Sequence, residues 1–312
     1  MFGHCKEELI FINFKKYRHM KRRQFIQTAA VASAAALIPS FAFASPKRKI
    51  GIQLYTLRDV IFKDVQGTLK QVADFGYQEL ELFGYNDGKV FGKPVSEVTK
   101  MVSDLGMKIT SGHYGTGLVS PADRPAAVGT LVNQWEKAVN DAKTLGQEYM
   151  LIAYLQKDER KTIDDYKKVC ELINKNAEIC KKYGIKIGYH NHDFEFQPID
   201  GQVPYDLMLK ELDPKLVSME LDLFWTIYAE HDPIKLFEAH PGRFEQWHVK
   251  DMSKDDRKRN ADVGTGTIDF KAIFAKAELS GLKHFYIEHD NFPTSSIESV
   301  KADAQNIKSI IS

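Results

Sequence analysis

Eight short apolar runs alternating with eight longer helical patterns predict a single (β/α)8 TIM barrel. The alternation occupies the 268 residues after position 44, a length that suits such a barrel. A second observation lies at the ends of the apolar runs. Nearly every one finishes in a titratable or hydrogen-bonding residue, and chemistry in these barrels sits at the C-terminal ends of the strands. The competing open, doubly wound sheet would place a glycine-rich phosphate loop after its first strand. Here the first strand runs into QLYTLRD instead.

In chain order the strands are expected at 50–54 (IGIQL), 78–82 (QELEL), 108–112 (KITSG) and 149–153 (YMLIA). The second half supplies 185–190 (IKIGYH), 216–221 (LVSMEL), 245–249 (EQWHV) and 283–288 (KHFYIE). The helical patterns cover 65–75, 94–105, 124–145, 162–183, 204–212, 232–239, 269–280 and 297–310. Gly76, Gly106, Gly146, Gly184 and Gly281 each end a helical pattern just before a strand, where a left-handed cap is wanted. Cys170 and Cys180 fall in one helical pattern, about 15 Å apart along its axis. A disulfide spans no more than about 7 Å between Cα atoms, so both are expected as free, buried thiols. Trp135 and Cys170 read as helix packing.

Residues 1–44 read as a leader rather than part of the barrel. From Met20 the order is a basic start (Lys21, Arg22, Arg23), an apolar stretch from Ala29 to Phe43, and Ala42 and Ala44 before Ser45. That is the anatomy of an export signal with a small-residue cleavage site. Arg22-Arg23 followed by Gln24-Phe25-Ile26 resembles the twin-arginine type, an address read by the export machinery. The alternative, an uncleaved membrane helix, falls short: the apolar core holds Ser33 and Pro39 and is shorter than the roughly 20 residues that span a bilayer. The expectation is a periplasmic protein without a stable membrane anchor, and residues 1–19 precede the natural-looking start at Met20. The leader carries seven of the 43 basic residues and two of the 42 acidic ones, so the remainder has a net charge of −4. A nucleic-acid binder shows a basic footprint, and that class is set aside. An oligomer is compatible with this composition.

Read in order, the strand ends present Gln53 and Tyr55, then Glu81, His113, Tyr154, and His190 with His192. The later strands add Asp222 with Trp225, His248 with Lys250, and Glu288 with His289 and Asp290. In YHNHDFEF, His190 and His192 are two residues apart and share one strand face. Singly, each has a plain structural reading. His113 can be a hydrogen-bonded loop histidine, Glu81 a partner of Lys108 or Arg58, and Asp222 a cap for the next helix. Glu220 shares a face with Asp222 and stands behind it. The run SKDDRKRN at 253–260 reads as a solvated loop. Together, the histidines and carboxylates of the last four strands form a mixed N/O set suited to one divalent ion such as Mn, Co, Zn or Mg. His190, Asp222, His248 and Glu288, one per strand, are the expected ligands. An ion there polarises a sugar carbonyl and stabilises an enediolate. Gln53, Tyr55, Glu81 and Trp225 are expected to bind the sugar. Glu288, His192, His113 and Lys250 are the proton-transfer candidates.

The segments YHNHDFEF, MELDLFWT, HVKDM, VGTGTIDF and YIEHDNF resemble, in order and spacing, the xylose-isomerase-like barrels known as sugar phosphate isomerases/epimerases. The resemblance covers roughly residues 49–310. It implies metal ligands at Asp222, His248 and Glu288, on strands six, seven and eight. The family's strand-five glutamate is replaced here by His190, in H-N-H rather than E-N-H. In the epimerases the strand-five and strand-eight glutamates form the acid/base pair, and only Glu288 of that pair is present. Metal binding survives the exchange, because imidazole is an equally good ligand. Dehydratases of the superfamily also carry histidines at this strand end, so elimination is within reach.

Three functions follow. The first is a metal-dependent isomerase or epimerase that abstracts a proton next to a carbonyl of a non-phosphorylated sugar. The alternative is a lyase cleaving 3-keto-glycosides by elimination. Export favours free or glycosidic sugars over phosphorylated ones, and the lost glutamate favours the lyase. Isomerisation or epimerisation is the commoner activity in the superfamily and stands first. A carbohydrate-binding barrel without catalysis would keep Tyr55, Trp225 and Phe292 but need no complete ligand set. A DNA-repair endonuclease of the same superfamily needs a basic groove, which the charge disfavours.

Overall fold

The computed structural model describes residues 48–119 and 126–311. The export signal, its Arg22-Arg23 pair and the cleavage position at Ala44 lie outside these residues.

Eight parallel strands close into a barrel, as expected: β1 Gly51–Gln53, β2 Glu79–Leu82, β3 Lys108–Tyr114 and β4 Tyr149–Ile152. They continue as β5 Lys186–His190, β6 Val217–Asp222, β7 Gln246–Val249 and β8 His284–Ile287, with β8 pairing back onto β1. Strands two, four, six and seven are buried at every position, because helices cover one face and the barrel interior the other. The covering helices are α1 Val65–Phe75, α2 Val95–Asp104, α3 Trp135–Leu145, α4 Ile163–Lys182 and α5 Pro204–Glu211. They continue as α6 Leu223–Tyr228, α7 Pro233–Ala239, α8 Phe270–Phe274, α9 Ala277–Ser280 and α10 Ser296–Asn306.

Local chemistry explains the boundaries. The Asp64 carboxylate caps α1 by accepting from Gly67 N, and Thr162 and Asp165 cap α4 reciprocally. All five glycines expected to end helices lie in the left-handed region, with φ from +72° to +100°. Cys170 and Cys180 are buried free thiols within α4, and Trp135 is buried at the start of α3.

Four elements differ from expectation. The helix expected over 124–145 begins only at Trp135, because Gly129 (φ +91°) and Gln134 (φ +52°) both take left-handed backbone that breaks a helix. The stretch 269–280 is split into α8 and α9 at Ala275 and Lys276. α6 follows β6 directly, because the Asp222 side chain caps it by accepting from Trp225 N. The solvated 253–260 loop is closed by a short antiparallel pairing of Asp251–Met252 with Asn260–Ala261. Asp251 anchors the glycine-rich segment that follows, accepting from the backbone N–H groups of Gly264, Gly266 and Ile268. Among the described residues no helix is long and apolar enough to cross a membrane.

Candidate active site

Strand register assembles the site. His190 on β5 lies opposite Glu220 on β6, and Asp222 on β6 lies opposite His248 on β7. A register irregularity between Leu80 and Glu81 sets Glu81 opposite Ser111. Two carboxylates therefore sit at the barrel centre, Glu81 and Glu220, both fully buried. Buried charge is costly unless paired and hydrogen-bonded, and histidines supply the pairing. His190 Nδ1 is 3.0 Å from Glu220 Oε2, and His248 Nε2 is 2.7 Å from Glu81 Oε1. His113 Nε2 bridges the two acids, 3.0 Å from Glu81 and 3.2 Å from Glu220. Burial works against the His113 imidazolium, but the Glu81 charge and the hydrogen bonds to both acids push it up to about 9. His113 is thus a cationic strut as well as part of the cavity wall.

The ring nitrogens not held by these two acids face a common point. His190 Nε2 and His248 Nδ1 each stand 3.9 Å from Asp222 Oδ2, and Glu288 Oε2 is 2.9 Å from His248 Nδ1. Asp222 divides its labour: Oδ1 caps α6, while Oδ2 is buried and lies 3.1 Å from Lys250 Nζ. Burial pushes this carboxyl up to about 6 against the pull of Lys250 and His248. Burial opposes the His248 imidazolium, but Glu220 and Glu288 hold its pKa well above the usual imidazole range. As an imidazolium it donates to both Glu81 and Glu288; as a neutral ring it donates to Glu81 alone and turns the Nδ1 lone pair toward Asp222 and Glu288. His248 would have to give up its Nδ1 proton to serve as a ligand. Histidine ligands usually donate their second N–H to a carboxylate, which is what Glu220 and Glu81 accept here. Asp222, His248 and Glu288 bring one ligand atom each within 4.8 Å of one another, a spacing suited to one divalent ion, and His190 Nε2 stands 3.9 Å from Asp222 Oδ2, while Lys250 Nζ shares the Asp222 and Glu288 oxygens.

Several expected roles change. Gln53 and Glu81 are fully buried and do not line the cavity. Gln53 Nε2 donates to Glu81 Oε1 at 2.8 Å and Ser111 Oγ to Glu81 Oε2 at 2.6 Å, so both orient the acid that orients His248. Trp225 stands behind His192, with ring centroids 5.7 Å apart, and is not part of the cavity wall. Lys250 is enclosed by Asp222 (3.1 Å), Glu288 (2.8 Å) and Asp290 (2.8 Å). Burial opposes its charge, but those three carboxylates hold it well above the usual lysine range. It is a fixed cation rather than a proton-transfer group. In turn, against burial, Lys250 and His248 keep Glu288 ionised.

A cavity of 630 Å³ opens over this cluster, lined by His113, His190, His192, Glu288 and Asp290 and by Tyr55. Burial, then Lys250, bring His192 down to about 3, so its ring is neutral, and Nδ1 makes no hydrogen bond. Its backbone N–H is held by Glu195 Oε2 at 2.8 Å. Sequence reasoning missed Asn191, whose Oδ1 accepts from Asp222 N at 3.0 Å and sets that residue's backbone. Its place between the two histidines, on the opposite strand face, was the available signal. Asp262, His289 and Asp303 form a further buried group, in which His289 Nε2 pairs with Asp303 Oδ2 at 2.7 Å.

Residues 69–310 match the family model described as a xylose isomerase-like TIM barrel. The chain belongs to that family. It is 30% identical to a Parabacteroides distasonis protein whose crystal structure is described as a sugar phosphate isomerase/epimerase, with a TM-score of 0.73 over 83% of this chain and 96% of that one. It is 23% identical to an inosose dehydratase of Geobacillus kaustophilus over 67% of this chain and 74% of that protein. The IOLI protein, solved with a bound zinc atom, shares the fold at 14% identity, with a TM-score of 0.65 over 84% of this chain and 98% of that one. The protein is an enzyme of this family.

The ligand arrangement yields a graded expectation. Asp222→Ala or His248→Ala abolishes stoichiometric metal by elemental analysis while the far-UV circular dichroism stays unchanged. Glu220→Gln keeps the ligands but weakens metal affinity about 10–100-fold, the usual effect of losing a carboxylate behind a ligand histidine. Full metal content in Asp222→Ala would refute the assignment.

Proposed function

We propose that the protein is a metal-dependent lyase that eliminates the anomeric substituent of a non-phosphorylated 3-keto-glycoside. The observation that carries this reading is the asymmetry of the cavity wall. Its two carboxylates, Glu288 and Asp290, both come from the end of β8, and β5 contributes the imidazoles of His190 and His192. Epimerisation by two carboxylates wants one from each of these strands. Elimination wants a base on one side and a proton donor on the other. The inosose dehydratase relatives support the same chemistry, and the zinc in the IOLI structure supports zinc as one suitable ion. Acidic and tyrosine side chains on the wall suit a neutral polyol better than a phosphate. The isomerase or epimerase reading keeps one specific support, the likeness to the Parabacteroides distasonis protein. Export by the twin-arginine route belongs to this proposal, since glycosides are met outside the cytoplasm.

His190, Asp222, His248 and Glu288 would hold the ion. Bound there, it supplies Lewis-acid polarisation of the sugar ketone. Glu288, ionised and on the cavity wall, takes the proton from C2. The electron pair of that bond becomes the C1=C2 double bond as the C1–O bond breaks. The departing oxygen receives a proton from His192. With Nδ1 buried and without a partner, the neutral ring works through Nε2 alone, relaying a proton from a cavity water to the departing oxygen. The products are an unsaturated keto sugar and the free alcohol or phenol.

Metal-loaded protein lacking residues 1–44, incubated with 3-keto-glycosides, aldoses and ketoses in D2O, tests the reaction class by NMR. The expected result is release of the anomeric substituent. Deuterium incorporation into an intact sugar without cleavage would establish an isomerase or epimerase instead. His192→Gln preserves a hydrogen-bonding side chain but removes the relay, and turnover is expected to fall about 10²–10⁴-fold with metal content unchanged. A loss below about threefold would make His192 a packing residue.

A further inference from the structure

We infer that the apolar half of the cavity is a subsite for a flat, apolar aglycone, so that the preferred substrates are aryl glycosides; this rests on the lyase reading and specifies its leaving group. The six exposed large hydrophobic side chains among the described residues are Tyr55, Phe62, Leu118, Val119, Val132 and Tyr154. All lie in the connections after β1, β3 and β4, one half of the rim. Exposed apolar surface gathered this way marks a binding site more often than chance. Two of the six, Tyr55 and Tyr154, line the same cavity as His190 and Glu288, together with Phe83, Tyr85 and Tyr114.

Two tyrosines of this wall, Tyr85 and Tyr114, offer ring faces rather than hydroxyls. Tyr114 OH donates to Gln147 Oε1 at 2.8 Å, and Tyr85 OH donates to Asp141 while accepting from Gly88 N at 3.1 Å. Thr130 Oγ1, on the same wall, donates to the Ala127 carbonyl at 2.9 Å. A second sugar in this half would leave hydroxyls against aromatic faces without partners, a costly burial. A planar apolar group meets no such cost and gains edge and face contacts with the rings. The wall is also fixed in place. Tyr55 packs edge-on to Phe83 at 5.3 Å, and Phe83 in turn contacts Phe91 at 5.2 Å and Phe62 at 5.8 Å. The Arg58 guanidinium lies 4.3 Å over Tyr55 and donates to the carbonyls of His289 and Asp290, tying the aromatic wall to the loop that follows Glu288. The cavity's 630 Å³ is within the range that accepts drug-sized ligands and leaves room beyond one sugar ring.

Calorimetry on the metal-loaded protein lacking residues 1–44, with phenyl β-glucoside, methyl β-glucoside and cellobiose, tests the subsite without requiring turnover. Phenyl glucoside is expected to bind about 10–100-fold tighter than methyl glucoside, as burial and stacking of one ring imply. Two variants should remove most of that preference by opposite means. Phe83→Ala deletes part of the wall. Gly115→Val adds bulk beside it, at a position where a Cβ meets only Thr130 Cγ2 at 3.7 Å. Equal binding of phenyl and methyl glucosides would overturn the inference, as would tighter binding of cellobiose. So would a dimer in light scattering that Phe62→Glu converts to monomer, because the rim would then be covered by a second copy. A phenyl preference without elimination of any 3-keto-glycoside would preserve the subsite and refute the lyase reading. Elimination of phenyl and methyl 3-keto-glucosides at equal rates would do the reverse.

Discussion

Glu81 and Glu220 are the constraint around which the site is built. Two fully buried carboxylates near the centre of a barrel repel one another and lose their hydration, and they persist only because three imidazoles and two hydrogen-bond donors surround them. Although burial and Glu81 both disfavour its charge, Glu220 is brought down to about 2 by His248 and by its bonds to His113 and His190. The pairing does more than stabilise charge. By claiming one nitrogen of His190 and one of His248, the two acids determine which nitrogen of each ring remains for Asp222 and Glu288. Replacing either acid by an apolar residue would strand an imidazole and release the ring orientation on which the ligand geometry depends.

The same logic separates two kinds of cation in the site. Lys250 is fixed on the side of Asp222, Glu288 and Asp290, where it balances negative charge that would otherwise depend wholly on an ion. His113 plays the equivalent part beneath, between Glu81 and Glu220. The cavity wall then carries groups of different character: ionised Glu288 from β8, neutral His192 after β5, and aromatic faces from the connections after β1 to β4. Under the proposed lyase reading, these serve as base, relay and apolar wall for breaking a bond to a large substituent.

The eight strands were legible because each apolar run is short and followed by a helical period, and five of them are preceded by a helix-ending glycine. The start of α3 was not, because the helix-like composition of 124–134 gives no weight to the left-handed backbone at Gly129 and Gln134. At the site, residue type and spacing brought out the strand-end histidines and acids that the barrel gathers at one end. Depth was illegible. Whether Gln53 and Glu81 face the substrate or support the ligands depends on how the barrel closes and on the irregularity that brings Glu81 opposite Ser111. Lys250 looked like a titrating group because its three carboxylate partners come from β6 and from the end of β8. The aromatic wall escaped notice for a similar reason, since Tyr55, Phe83, Tyr85, Tyr114 and Tyr154 are scattered over a hundred residues and meet only in three dimensions.

The central claim is that one divalent ion is held by His190 Nε2, Asp222 Oδ2, His248 Nδ1 and Glu288. Anomalous diffraction from crystals of the protein loaded with zinc or manganese tests it most directly. The account requires a single strong peak about 2.0–2.3 Å from those four groups, with Glu220 and Glu81 hydrogen-bonded to the far nitrogens of the two histidines. A peak among His113, His190 and Glu220, or beside His289 and Asp303, with none at Asp222, would contradict it.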